Sequence, residues 1–206
     1  MAVTRLNNIR PEMLVWAFER AGYDEEKAVR AFPKLACWLS GEKQPTVSQL
    51  QAFAKRFYVP FGFLFLQHVP TETIPFPMFR GTAGENKHFD LNVYDTVNNI
   101  RIRQDWLADY LVENDVETCR LVGCITLQTP VGEAVNMLRN MLGLEPRWAF
   151  SLMRADAAVG FLTDRLEQAG VFVAYNGVVG NNTQRVLKVS ECRGFALVNN
   201  VAPYIF

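Results

Sequence analysis

Between residues 67 and 89 the chain carries Pro70, Pro75, Pro77, Gly81 and Gly84, a density of breakers that no regular element survives. The residue before each proline is pushed towards extended geometry. The stretch is therefore a connector, and the chain falls into three parts: residues 1–69, a proline-rich linker over 70–89, and residues 90–206. The linker is not disordered in character. Ile74, Phe76, Met78 and Phe79 supply apolar area, and the segment is expected to drape over one of its neighbours.

With 206 residues, half of them hydrophobic, the chain can bury two cores. Its 21 basic and 21 acidic side chains cancel, which removes any global pull towards nucleic acid or acidic lipid. Locally the balance is uneven. Residues 1–60 hold nine basic groups (Arg5, Arg10, Arg20, Lys27, Arg30, Lys34, Lys43, Lys55, Arg56) against six acidic ones (Glu12, Glu19, Asp24, Glu25, Glu26, Glu42). No basic-then-apolar leader opens the chain, and no apolar run reaches the roughly 18 residues that cross a bilayer. The four cysteines, Cys37, Cys119, Cys124 and Cys192, lack C-x-x-C spacing. Reduced thiols in a cytoplasmic protein without membrane contact are the expectation. Cys124 and Cys192 have no histidine nearby in sequence to act as a base, so they read as ordinary thiols rather than nucleophiles.

Residues 10–66 read as five short helices. Pro11 suits a first helical position, Leu14, Ala17, Phe18 and Ala21 form one stripe, and Gly22 ends it. Asp24 caps a second helix running through Ala28 and Val29 to Phe32. Pro33 restarts the chain; Leu35, Trp38 and Leu39 turn inward before Ser40-Gly41. Thr46 and Gln49 have capping-box spacing and open a fourth helix that buries Val47, Leu50, Ala54 and Phe57. Pro60 opens a fifth, and Phe61 to Leu66 reads as the apolar closure of the bundle.

The second part begins with a long helix from about Leu91 to Asn114, with Val93, Val97, Ile100, Leu107 and Leu111 at helical spacing. An extended stretch over Cys119 to Leu127 precedes Thr129-Pro130, a cap and first-turn pair for a helix to Met141 ended by Gly143. A further helix from Ala155 to Gln168 stops at Ala169-Gly170. Val171 to Val173, a loop or hairpin over Asn176 to Asn182, Gly194 to Asn199 and Ala202 to Phe206 then form an antiparallel set. The fold class is α+β: an all-α N-terminal bundle, a helical region, and a small antiparallel sheet. The closing run to Phe206 reads as a strand with nothing left to pair with. On that ground the chain is expected to be the front part of a larger domain whose chemistry lies beyond residue 206.

Two stretches carry a family pattern. Trp38-Leu39-Ser40-Gly41-Glu42-Lys43-Gln44-Pro45-Thr46 with Leu50 and Ala54 closely resembles the signature of Xre/Cro-type helix-turn-helix domains. Pro75-Phe76-Pro77 to Phe79-Arg80, Leu166 to Val173, and Arg193 to Leu197 with Pro203 and Ile205 resemble the front of an ImmA/IrrE-type zinc metallopeptidase domain. Where that family carries an acidic residue this chain has Met78. In the family an H-E-x-x-H helix follows these strands, two histidines holding zinc and the glutamate activating its water. Residues 1–206 contain no such motif, and His68 and His88 lie twenty apart. The resemblance therefore implies no cofactor here, zinc only with a downstream H-E-x-x-H, and peptidase activity only for a longer parent. Arg80 and Arg193 are expected to pair structurally.

The resemblance further implies regulators that cut or sequester a repressor or toxin in transcriptional, toxin–antitoxin or stress control. In such a module the second helix of the motif, about Pro33 to Ser40, meets the major groove. Candidate DNA-contacting residues are Lys34, Ala36, Cys37 and Ser40 on that helix, with Lys27, Arg30 and Lys43 beside it. The helix has no Arg, Asn or Gln for bidentate base reading, and the lysines and arginine suit phosphates, which position without specifying. Three readings stay open: a regulator of the Xre plus ImmA/IrrE-like type without its catalytic helix; a binding-only DNA-binding repressor or antitoxin-like module with no peptidase chemistry; or a protein-interaction scaffold whose first domain is a homodimer or partner platform.

Overall fold

The computed structural model describes residues 5–72, 90–188 and 194–206, and the chain divides into two units, Met1–Leu91 and Asn92–Phe206. In the first unit α1 (Pro11–Arg20), α2 (Glu25–Ala31), α3 (Leu35–Leu39) and α4 (Val47–Arg56) precede a 3-10 turn over Phe61–Phe65. Local chemistry sets their ends. Asp24 Oδ1 accepts the Lys27 amide at 2.8 Å to start α2. At α4, Thr46 Oγ1 accepts from the Gln49 amide at 3.3 Å while Gln49 Oε1 accepts from the Thr46 amide at 3.1 Å, a reciprocal capping box. Gly22 closes α1 in the left-handed region, with the Tyr23 amide on the Phe18 carbonyl. Tyr58 closes α4 the same way at φ +52, where glycine is the usual choice. Arg20 braces that position: its Nη1 donates to the Tyr58 carbonyl and its Nε to both Glu72 carboxylate oxygens at 2.7 and 2.8 Å.

The core of this unit is aromatic and centres on Phe53. Its ring meets Phe57 at 4.7 Å, Phe32 at 5.8 Å and Trp38 at 6.0 Å, so helices α3 and α4 and the end of α2 share one contact. Leu35, Leu50, Phe53 and Phe57 are fully buried. Three expectations change. Val47 lies in the first turn of α4, at the edge of the apolar arc, and is exposed, while Phe53 is central. In the apolar closure only Leu64 is fully buried, and Phe63 and Leu66 face solvent. Helix α3 begins at Leu35, leaving Pro33 and Lys34 in the preceding turn.

The second unit contains α5 (Leu91–Glu113), α6 (Val131–Met141), a 3-10 turn over Trp148–Leu152 and α7 (Ala155–Gln168). Strands β1 (Phe172–Val173), β2 (Val178–Val179), β3 (Asn182–Val186), β4 (Ala196–Leu197) and β5 (Tyr204–Ile205) follow. The α+β class holds, but the sheet is mixed. Its order is β1-β5-β4, with β1 parallel and β4 antiparallel to β5, and β2-β3 form a separate hairpin. The closing strand, expected to lack a mate, is the central one. Phe172 and Ala174 amides donate to Pro203 and Ile205 carbonyls on one side, and Phe195 and Phe206 exchange two bonds on the other. Residues 119–127 are turns rather than an extended stretch. Thr129 does not cap α6, because its Oγ1 accepts from the Thr126 amide behind it.

A buried amide links helix and sheet. Gln104, on the inner face of α5 with Val93, Val97 and Ile100, donates both Nε2 protons, to the Leu197 carbonyl at 2.9 Å and the Ala202 carbonyl at 2.8 Å. The hairpin is fastened to the start of α5 by Arg185, which reaches Asn92 Oδ1 at 2.9 Å and Asp95 Oδ2 at 2.7 Å. The linker's apolar residues Ile74, Phe76, Met78 and Phe79, and Arg80, His88, Cys192 and Arg193, lie outside the described residues. Among the described residues no helix is long and apolar enough to cross a membrane.

Gln104→Leu keeps the volume but strands two carbonyls, and should cost the second unit about 1–3 kcal/mol, read as a lowered urea midpoint. At Gly194, φ is +141 and an added Cβ would sit 2.5 Å from the Phe206 carbonyl oxygen. Gly194→Ala should therefore cost a comparable amount, on the order of 1–3 kcal/mol, in the same measurement.

Candidate nucleic-acid interface

Helices α2 and α3 are joined by the short turn of Phe32, Pro33 and Lys34, and the burial of Leu35 and Trp38 fixes which side of α3 looks outward. Lys34, Ala36 and Ser40 are exposed and Cys37 is half-buried. Five residues make α3 only about 7.5 Å long at 1.5 Å per residue, so it offers a short edge rather than a full helical face. Ser40 is committed to ending it: its Oγ donates to the Cys37 carbonyl at 3.3 Å and accepts the Glu42 amide at 3.5 Å. Gly41 turns the chain at φ +73, and the Lys43 amide also reaches the Cys37 carbonyl. The sequence-predicted residues thus surround one motif, but of those at α3 only Ala36, and Lys34 in the turn before it, are uncommitted among the described residues.

The charge around that edge is largely self-neutralised. Lys27 Nζ lies 2.7 Å from Asp24, Arg30 Nη2 2.5 Å from Glu26, and Lys43 Nζ 3.6 Å from Glu42. Lys34 pairs with no carboxylate among the described residues. The Lys27 ammonium, then the Lys27 amide, hold the Asp24 carboxyl below its usual value, and Asp24 raises Lys27 in return. The depressed carboxyl adds stability above its unfolded value near pH 4 that is lost as pH falls through its folded value. The raised ammonium adds stability below about pH 10.5 that is lost above it. These pairs are fully exposed and screened, so a phosphate can displace them. Such pairs would compete with an approaching polyanion without blocking it.

One cation escapes a local sequence reading. Arg5, about forty residues earlier, bridges to Thr46 and donates Nη1 to the Gln44 carbonyl at 3.0 Å, beside Lys43. No spacing rule could have placed it there. His68 is exposed, and no group of three or more histidine, cysteine or carboxylate side chains that could hold a metal occurs among the described residues.

A separate cavity of about 430 Å³ in the second unit was not foreseen. Leu111, Met141, Phe172 and Val201 form its apolar lining, and Glu117, Arg120 and Gln168 also border it. Cys119 backs it, buried, with its thiol donated to the Ala169 carbonyl at 3.2 Å. That hydrogen bond makes the thiol a structural donor.

No family model, no curated protein and no solved structure matches this chain. The helical edge is therefore judged on its own geometry, which suits backbone phosphates better than base edges.

Releasing the paired cations should strengthen DNA contact. The double variant Asp24→Asn, Glu26→Gln keeps an N-cap acceptor but frees Lys27 and Arg30. Its low-salt affinity for a random duplex should rise, and its log–log salt slope should steepen by up to about two units at 0.9 per phosphate contact. Fluorescence anisotropy across a salt series checks both.

Proposed function

We propose that this chain is a cytoplasmic regulatory protein whose first unit is an Xre-type helix-turn-helix module gripping duplex DNA through its backbone. The observation that carries this reading is the α2–turn–α3 geometry with an exposed Lys34 at the start of α3. Every residue of the Xre-like pattern also has a structural task. Trp38, Pro45, Leu50 and Ala54 are buried, Gly41 takes a left-handed turn, and Thr46 forms the capping box. The module holds its shape without committing Lys34 or Ala36. In the same reading the second unit is ImmA/IrrE-like. Residues 1–206 carry no H-E-x-x-H, so its part here is to engage a protein partner such as a repressor or toxin, in transcriptional, toxin–antitoxin or stress control.

Anisotropy titrations of the full chain against its own upstream duplex and a scrambled duplex, at stated salt, test the DNA half. The expected result is binding that weakens steeply with salt and falls about threefold or more at low salt for Lys34→Ala. A preference for the upstream duplex of tenfold or more would place direct base reading alongside phosphate contact. Binding that is absent at low salt, or insensitive to it, would reject the DNA assignment.

A further inference from the structure

The outer face of α5 carries an apolar row that no described residue covers. Ile102, Trp106 and Tyr110 follow each other at i, i+4 and i+8, which stacks them along one side of the helix. They are 69%, 67% and 51% exposed. The Trp106 and Tyr110 rings lie 5.7 Å apart and nearly parallel, at 13°. Beside this row runs a second with the same spacing: Asp105, Asp109 and Glu113. From Gln104 to Cys119 the sequence has five carboxylates, with Asp115 and Glu117, and no lysine or arginine. Arg101 approaches Asp105 only loosely, at 4.0 Å, and Asp109 and Glu113 meet no cation among the described residues. Like charges at i, i+4 repel and weaken a helix, so among the described residues the apolar row lacks a cover and the carboxylate row lacks cations beyond Arg101.

The two deficits together define the occupant. Phosphate-bearing surfaces, whether nucleic acid or anionic lipid, are repelled by the carboxylate row. A second copy fits poorly as well. In an antiparallel two-fold pair each flank meets its own equivalent, bringing the two carboxylate rows side by side. A parallel pair offers the row one cation from the opposite flank, Arg103. What satisfies both rows is a helix with aliphatic residues along one stripe and lysine or arginine along its edge. Its cations would pair with Asp109 and Glu113 and cover the Trp106 and Tyr110 faces, where guanidinium and ammonium groups are attracted to the rings. We infer that the outer face of α5 is the docking surface for a cationic amphipathic helix of a protein partner. This rests on the partner half of the proposed function and is independent of the DNA half.

The test uses the full chain and a fluorescent 18-residue amphipathic peptide of leucine and lysine, with a leucine–glutamate peptide of the same pattern as its opposite. The lysine peptide should bind in a salt-dependent way. Trp106→Ala should weaken it about tenfold, and Asp109→Asn with Glu113→Gln by a similar factor. Glu133→Gln with Glu145→Gln, two exposed carboxylates outside α5, should leave it unchanged. Equal binding of the glutamate peptide overturns the assignment, as does lysine-peptide binding that none of the α5 substitutions moves. Sedimentation showing self-association abolished by Trp106→Ala would overturn it in favour of a second copy. The DNA titrations are scored separately, so either half can fail alone.

Discussion

Burial of one phenylalanine ring organises the first unit. Phe53 touches Phe32, Trp38 and Phe57, so the end of α2, the whole of α3 and the end of α4 are located by a single shared contact. Burying a side chain of that size contributes about 1.5–3 kcal/mol, and packed aromatic pairs add to it. A five-residue helix such as α3 has no stability of its own, since nucleation costs more than one turn returns. Its direction is borrowed from Trp38 and Leu35. The residues of the Xre-like pattern are thus spent on holding these helices together, and under the proposed function contact with DNA falls to the exposed residues around them.

In the second unit the matching constraint is polar. Strands of two residues supply few ladder bonds, and β5 depends on having neighbours on both sides. Gln104 adds what the strands lack, joining α5 to the β4 end and the Ala202 turn with two buried hydrogen bonds. A buried amide with both protons placed raises specificity, because any slip of the sheet leaves carbonyls without a donor. Asn199 completes the same corner, its Oδ1 accepting the Val201 and Ala202 amides.

Helix starts and stops were legible because they are written in nearest-neighbour chemistry: Asp24 before α2, Thr46 with Gln49 at α4, glycines after α1, α6 and α7. Periodicity likewise located α5 and its inner face. What periodicity could not separate was Val47 from Phe53, since both lie near the edge of one apolar arc and tertiary packing chose between them. Strand direction was not legible either. A closing apolar run looks the same whether it is an edge or the centre, and only non-local pairing put β5 between a parallel and an antiparallel neighbour. For the site, the candidate cations were nameable from sequence, and their carboxylate partners sat in the same few residues. Arg5 was not, because its place beside Lys43 depends on contacts about forty residues away.

The zero net charge conceals two surfaces of opposite character. Up to Leu91 the chain has eleven basic and nine acidic side chains, and beyond it ten and twelve. These small differences matter less than how the charges are arranged. Around α3 Lys27, Arg30 and Lys43 sit within ion-pair distance of carboxylates and only Lys34 stands apart among the described residues, so the local field is weak and short-ranged, and approach of a polyanion must displace pairs one at a time. Along α5 the carboxylates follow one another with little compensation, so their fields add along the helix and reach further. A surface of the first kind favours contact that is easily reversed, and one of the second kind draws a cationic partner before any apolar contact forms. For the proposed partner, the apolar row on α5 would set how long it stays, because dissociation re-exposes Trp106 and Tyr110 to water. Under the proposed function the first unit would serve reversible positioning and the second residence on a partner, a division that follows from charge spacing rather than from charge total.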